Sequence, residues 1–198
     1  MEIPGVAEIR GLHEKYAPNA AALDLVFTHC EIVRSLAEQL ISASGLDVDA
    51  DLVRAGCLLH DIGVYRLFDE QGRVDKANYV RHGVLGHELL EAEGFPEPLC
   101  RFCSCHTGVG LTKADIEAQG LPLPPLDYTA VTVEERLVMY ADNFHSKTTP
   151  PKFVTADSYS AYLGRFGQDK VLAFQSMRGA FGEPVLTELA AVHGHAIT

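Results

Sequence analysis

Apolar residues recur every three or four positions over most of this chain of 198 residues, which is the spacing of helices packed on a core. No stretch of useful length alternates apolar and polar residues as a half-buried strand would. The pattern therefore predicts an all-α fold, a bundle-like domain of about six to eight helices. A small β element in a loop is compatible with it.

Capping residues suggest where the main helices begin and end. One helix is expected from Asn19 to Ser42, a second from about Asp49 to Ile62, and a third from Asn78 to Glu93. Gly63 is expected to cap the second helix at its C-terminus. The residues up to about Tyr16 should add a short helix outside the core.

We expect a single domain over residues 1–198, with its core over about 19–147. Helices within 157–194 should pack on that core. The segment from Thr132 carries a Glu at the third following position, which predicts a capping box for the helix that leads to Asp142.

Charge and composition narrow the classes of partner. The formal net charge is -11, so a broad surface for a nucleic acid polymer or an acidic membrane is not expected. The chain has no apolar run long enough to span a bilayer and no basic-then-apolar start, which favours the cytoplasm. Five cysteines are an odd number without an export signal, so we expect reduced thiols. A small ligand is the favoured partner.

His60 and Asp61 stand next to each other at the end of an apolar helix. Burying both would be unfavourable unless something satisfied them, and a divalent metal ion does so. Neighbouring helix positions diverge by about 100 degrees, so the pair can reach two ions, or one ion from two directions. A metal site near this pair is therefore predicted.

The other candidate ligands are His29, His82, His106 and Asp142, each on or beside the inward face of a different predicted helix. Taken alone, His29 fits a satisfied core histidine better than a metal ligand. His87 competes with His82 on the same helix and is expected at the surface.

The remaining histidines and the cysteines have simpler interpretations. A zinc knuckle at Cys103 and Cys105 would lack a second ligand pair at conventional spacing. Four histidines near the termini or outside any pattern are expected to be exposed to solvent: His13, His145, His193 and His195.

The segment Leu58-Leu59-His60-Asp61-Ile62-Gly63, with His29 before it and Asp142 in Tyr-Ala-Asp-Asn after it, resembles the HD-domain superfamily of metal-dependent phosphohydrolases, in its His-Asp-Ile-Gly subgroup. The resemblance covers about residues 19–147. The resemblance also selects His106, and it selects His82 in place of His87. Similar histidines hold a second ion in the dinuclear branches of the superfamily.

By this resemblance His29, His60 and Asp142 would hold one ion and His82 and His106 the other. Asp61 would bridge the two ions and position the attacking water, which makes it the expected catalytic residue. The resemblance implies one or two divalent ions, among Fe, Mn, Zn, Ni and Mg.

The implied function is hydrolysis of a phosphate ester, such as a nucleotide or another small phosphorylated metabolite, by metal-activated water. The chain lacks the Gly-Tyr-Pro element of the cyclic-dinucleotide branch, having Thr107-Gly108-Val109-Gly110 there, so that substrate is not assigned. Arg66 and Lys147 are candidate contacts to the phosphate. A homodimer is compatible with the resemblance.

Two alternatives stay open at this point. The same ligand set resembles that of mixed-valent di-iron oxygenases within the superfamily, and the first coordination shells do not separate the two classes. The domain could also be a non-catalytic sensor that binds a nucleotide or a metal.

Overall fold

The computed structural model describes residues 1–198 and contains ten α-helices, two short 3-10 helices and three two-residue strands. The α-helices are α1 Val6–Tyr16, α2 Ala20–Ser44, α3 Ala50–Leu59, α4 His82–Ala92, α5 Glu97–Ser104, α6 Lys113–Gln119, α7 Val133–Asp142, α8 Ala156–Leu163, α9 Gln168–Phe181 and α10 Leu186–His193. The 3-10 helices are Ile62–Leu67 and Tyr79–Arg81, and the strands are β1 His145–Ser146, β2 Lys152–Phe153 and β3 Ala196–Ile197.

The all-α prediction is confirmed, whereas the expected count of helices is too low. The extra helices are short, and one hydrophobic turn between glycines or prolines is hard to recognise by periodicity. The model contains no helix that is both long and apolar enough to cross a membrane.

The long helix α2 is the centre of the packing. The Asn19 side chain accepts a hydrogen bond from the amide of Ala22 at its start, and Gly45 ends it in the left-handed conformation with φ of 64°. Helices α3 and α7 pack against α2, while α4 packs against α5 and the first 3-10 helix. These contacts bring the ends of α3, α4, α5 and α7 towards the middle of α2.

The α1 helix belongs to the core, contrary to the prediction that it lies outside. Ile9 is fully buried and is part of the main hydrophobic cluster, and His13 is buried beside it. The position of α1 depends on its contacts with α2 and α3, which local periodicity does not reveal.

The second predicted helix ends earlier than expected. α3 stops at Leu59, His60 follows as its C-cap, and Gly63 lies inside the next 3-10 helix without a positive φ. A Cβ atom on Gly63 would overlap the carbonyl oxygen of His82 and the amide nitrogen of Gly86. Gly63 is therefore needed for backbone contact with α4 and does not act as a cap.

The C-terminal helices end in a small sheet beside α2. β1 pairs with β2 in antiparallel register, with His145 opposite Phe153, and β2 pairs with β3 in parallel register, with Phe153 opposite Ile197. This sheet lies directly after Asp142 along the chain, so it fixes the backbone on one side of the predicted metal ligands.

Candidate metal centre

Four imidazole rings turn their Nε2 atoms towards the carboxylate of Asp61. His29 and His60 lie near one carboxylate oxygen, Oδ2, at 3.2 and 3.5 Å. His82 and His106 lie near the other, Oδ1, at 3.5 and 3.7 Å. The model thus brings together side chains from α2, α4, the end of α3 and the end of α5, as the helical pattern predicts.

Asp142, the last residue of α7, completes the first of these two groups. Its Oδ1 lies 3.0 Å from Nε2 of His29 and 3.5 Å from Nε2 of His60. All six residues that the sequence singles out as metal ligands therefore converge on one point of the fold.

The hydrogen bonds on the far side of three of the rings indicate which nitrogen carries the proton. Nδ1 of His60 lies 2.7 Å from the carbonyl oxygen of Cys57, and Nδ1 of His82 lies 2.6 Å from that of Tyr79. Nδ1 of His106 lies 3.0 Å from the carbonyl oxygen of Phe102. A carbonyl oxygen can only accept, so each Nδ1 must donate. When these rings are neutral, each Nε2 presents a lone pair to the centre.

The spacing between the facing lone pairs suits a cation. Nε2 of His82 lies 2.9 Å from Nε2 of His106, and Nε2 of His29 lies 3.2 Å from Nε2 of His60. When the rings are neutral, two such lone pairs do not form a hydrogen bond with each other. Ligand atoms that bind one ion at about 2.0 to 2.2 Å stand about 3 Å apart when they are adjacent, which is the separation found here.

Asp61 has an unusual environment for a carboxylate. Its side chain is fully buried, and neither carboxylate oxygen has a hydrogen-bond donor in acceptable geometry. The ammonium of Lys147 contacts Oδ2, whereas Oδ1 faces only the rings of His82 and His106, and metal coordination would satisfy both oxygens. The chemistry of the site therefore fits a divalent ion on each side of Asp61.

The surroundings of Asp61 and His106 set the protonation states of these two side chains. Burial would raise the pKa of Asp61, but Lys147 and His60 outweigh it and hold that pKa well below its usual range. Burial lowers the pKa of His106 to about 3, with help from His60 and His82. At neutral pH the carboxylate is charged and the His106 ring is neutral, as metal ligands require.

His60 differs from the other rings. Burial lowers its pKa, but the charge of the adjacent Asp61 outweighs this effect and raises the pKa well above its ordinary value. Without a bound cation the His60 ring therefore carries a second proton, on Nε2. Metal binding at Nε2 requires that this proton leave.

Lys147 lines the cleft beside the centre and its ammonium group contacts Asp61. Burial opposes its charge, but Asp61 and Asp142 outweigh burial and raise its pKa. Arg66 does not share this position. Its guanidinium lies 3.8 Å from Glu88 at the surface and it does not line the cleft, so the model gives no support for Arg66 as a phosphate contact.

Two histidines expected at the surface lie behind His29. Nδ1 of His145 lies 2.8 Å from Nδ1 of His29, and Nε2 of His145 lies 3.0 Å from Nδ1 of His195. His145 is buried and His195 is half-buried, so the prediction of exposure is wrong for His145. Its only signal in the sequence is its position between the apolar Phe144 and Lys147, close to Asp142.

The same prediction is wrong for His13, which is fully buried. Its Nε2 lies 2.8 Å from the carbonyl oxygen of Leu58, and its Nδ1 lies 2.8 Å from the hydroxyl of Tyr65. His87, by contrast, is half-buried on α4, where it contacts Ser104 and Glu97. It lies outside the six-residue cluster.

The family model for the HD domain matches residues 26–147 of this chain. An uncharacterized protein of Methanocaldococcus jannaschii is 42% identical over 121 residues, which cover 60% of this chain and 64% of that protein. A Picrophilus torridus protein named tRNA (cytidine(56)-2'-O)-methyltransferase is 37% identical over 123 residues, covering 62% of this chain and 32% of that protein. The chain therefore spans less than two thirds of the length of these relatives.

Solved structures show the same fold. The HD domain of the Listeria monocytogenes phosphodiesterase PgpH superposes with a TM-score of 0.55 at 16% identity, covering 93% of this chain and 98% of that one. The same domain in complex with cyclic-di-AMP gives 0.52 at 18% identity, covering 96% and 99%.

These matches confirm the resemblance that the His-Asp motif indicates. The family match includes all six converging residues and ends five residues after Asp142, at Lys147. The chain belongs to the HD-domain family.

Proposed function

We propose that this protein is a metal-dependent hydrolase of a phosphate ester, with a nucleotide or another small phosphorylated metabolite as its substrate. The proposal depends on one observation. The Nε2 atoms of four histidines face the two oxygens of a single buried carboxylate, that of Asp61.

The distances between the side chains support a proposed division of the ligands. His29, His60 and Asp142 would hold one ion together with Oδ2 of Asp61, and His82 and His106 would hold a second with Oδ1. When bound, the ions would supply an activated water near neutral pH and would offset negative charge on a phosphoryl group. Asp61, placed between the two groups, would fix their separation.

The cleft next to the centre suits an anionic substrate. It has a volume of about 660 Å³, and Lys76, Lys147, Thr148 and Thr149 line it together with His82, His106 and Asp142. Lysine side chains and hydroxyl groups can donate to phosphate oxygens. Such local donors are needed because the protein as a whole carries a net charge of -11.

One solved structure of the same fold is consistent with this class of reaction, whereas the names of the sequence relatives do not indicate a hydrolase. PgpH, which shares the fold, is named a phosphodiesterase, and its HD domain has been solved with cyclic-di-AMP. Phosphate ester hydrolysis is consistent with this neighbour.

The proposal is tested by metal analysis combined with a substrate panel. The protein is loaded with Mn²⁺ and assayed against phosphomonoesters, nucleotides and dinucleotides. We expect turnover by the wild-type protein, and a loss of at least about a hundredfold in Asp61→Asn, which keeps the shape of the side chain and removes its charge. No turnover on any phosphate compound by protein with full metal occupancy would overturn the proposal.

His82→Gln and His87→Gln form a matched pair for the same assay. Both histidines lie on α4, but only His82 points at the centre, whereas His87 contacts Ser104 and Glu97. We expect His82→Gln to lose metal and activity and His87→Gln to keep both. Activity with redox-inert Mg²⁺ supports the hydrolase, whereas activity that requires both iron and dioxygen would identify an oxygenase.

A further inference from the structure

A second cleft, formed mainly by apolar and aromatic side chains, adjoins the metal centre and is not used by the proposed chemistry. It has a volume of about 360 Å³, and Tyr159, Tyr162 and Phe166 from α8 and the turn after it line one side. We refer to it as the aromatic cleft. Its volume falls within the range of pockets that bind small organic ligands.

The aromatic cleft and the cleft at the metal centre share three lining residues, Thr107, Gly108 and Tyr159. Gly108 has a φ of 65° and its carbonyl oxygen accepts a hydrogen bond of 3.0 Å from Asn143, the residue after Asp142. The loop that follows His106 is thus attached to the end of α7. It forms the wall between the two clefts.

At Gly108 only main-chain atoms separate the two clefts, because glycine has no side chain. A Cβ atom there would lie 3.9 Å from the hydroxyl of Tyr159, so Gly108 keeps the space beside Tyr159 open. Because the two clefts share these lining residues, a single molecule bound in both would pass next to Gly108.

The lining of the aromatic cleft indicates which chemical group it would accept. Tyr162 and Phe166 pack edge to face with ring centroids 5.3 Å apart, and they remain 47% and 44% exposed. Large aromatic rings exposed at a cleft can stack on a planar ligand. Gln119, also in the lining, offers an amide that can hydrogen-bond to the polar edge of a heterocycle, whereas the ammonium of Lys170 is already paired with Asp115.

We propose that the aromatic cleft binds the base of a nucleoside phosphate whose phosphate group lies at the metal centre. This inference rests on the proposed function and makes the substrate class narrower. Substrates without a base would reach the metals but would lose the stacking contacts.

A fluorescence experiment tests base binding without requiring turnover. The chain contains no tryptophan, so Tyr162→Trp introduces a single reporter in the aromatic cleft. The full-length variant, loaded with Mg²⁺, is titrated with adenosine, which has no phosphate to hydrolyse, and with ribose 5-phosphate, which has no base. We expect a saturable change with adenosine and none with ribose 5-phosphate. No response to adenosine, or the same response to both, would overturn the inference.

A kinetic comparison provides an independent arm. Phe166→Ala should raise KM about tenfold for nucleoside monophosphates, since it removes one aromatic ring on which the base can stack. It should leave hydrolysis of ribose 5-phosphate unchanged. Leu172→Ala is the matched control, because Leu172 is 60% exposed on α9 and lies outside the cleft. An equal effect of Phe166→Ala on both substrates would overturn the inference.

The two proposals fail in different ways. A reporter response to adenosine in a protein that hydrolyses no phosphate ester would support the base cleft and contradict the hydrolase. Efficient hydrolysis of phosphates that lack a base, together with no fluorescence change in Tyr162→Trp on addition of adenosine, would support the hydrolase. It would contradict base binding in the aromatic cleft.

Discussion

Nδ1 of His29 lies 2.8 Å from Nδ1 of His145, on the side of the His29 ring that faces away from the metal centre. If Nε2 of His29 binds a cation, the ring proton must be on Nδ1, which then donates a hydrogen bond to Nδ1 of His145. His145 in turn donates from Nε2 to Nδ1 of His195, and the Phe153 ring packs at 4.9 Å from the His145 ring. The small sheet therefore orients His29, a proposed metal ligand on α2.

We predict that His145→Phe weakens metal binding by about tenfold to a hundredfold, because the orientation of His29 is no longer fixed by a hydrogen bond. Isothermal titration with Mn²⁺ measures the effect. His145→Asn retains an acceptor near the position of Nδ1 and should restore part of the affinity. Equal affinities in the wild-type protein and His145→Phe would show that His145 only fills space.

A second prediction concerns Gly63, whose backbone contacts α4 next to His82. Gly63→Ala should destabilise the protein by about 3 kcal/mol, because the new methyl group would overlap main-chain atoms that cannot move independently. Urea unfolding measures the change in the free energy of unfolding.

Gly11→Ala is the control for Gly63→Ala. Gly11 lies in α1, and a Cβ atom there would meet nothing within 4 Å. That substitution should stabilise the protein by about 0.5 to 1 kcal/mol, as expected for alanine in an exposed helix. A Gly63→Ala protein as stable as the wild type would contradict the backbone contact.

The buried His13 should make stability depend on pH. Burial lowers the pKa of His13 from 6.5 to about 4, so between these values the unfolded chain binds a proton that the folded chain does not. The contribution of His13 is therefore fully present above pH 6.5 and is lost as the pH falls towards 4. The shift corresponds to about 3 kcal/mol.

Urea unfolding at pH 7 and pH 5 in the presence of a chelator tests this dependence. His13→Phe should be less stable than the wild type at pH 7, since Leu58 and Tyr65 lose their hydrogen-bond partner. It should also lose less stability on going to pH 5. The same loss in both proteins would show that His13 does not contribute to the acid sensitivity.

Divalent metal should raise the melting temperature, because a cation satisfies the facing nitrogen and carboxylate atoms only in the folded state. At a hundredfold excess over Kd the gain is about 2.7 kcal/mol, or about 5 to 10 °C for a domain of this size. Asp61→Asn should show a much smaller rise than the wild type. If neither Mn²⁺ nor a chelator changed the melting temperature, the prediction of a metal centre would be contradicted.

The sequence predicted the convergence of the six candidate ligands well, because each is on or next to the inward side of a helix with a clear apolar face. The pair His60 and Asp61 was informative because burial of adjacent polar groups needs a partner. The family resemblance added the choice of His82 over His87, which periodicity alone could not make.

What the sequence did not reveal depends on contacts between distant segments. Gly63 looks like a helix cap from its neighbours, and only the approach of α4 shows its packing role. The burial of His13 and His145 likewise depends on partners 45 and 116 residues away, Leu58 and His29. No local pattern marks such long-range partners.

The most direct test of the central claim is anomalous diffraction from crystals of the protein grown with Mn²⁺. We predict two anomalous peaks, each about 2.0 to 2.3 Å from its ligand atoms. One should touch His29, His60 and Asp142, the other His82 and His106, and both should touch Asp61. Crystals with no peak among these six side chains, or with Mn²⁺ bound only elsewhere, would contradict the account.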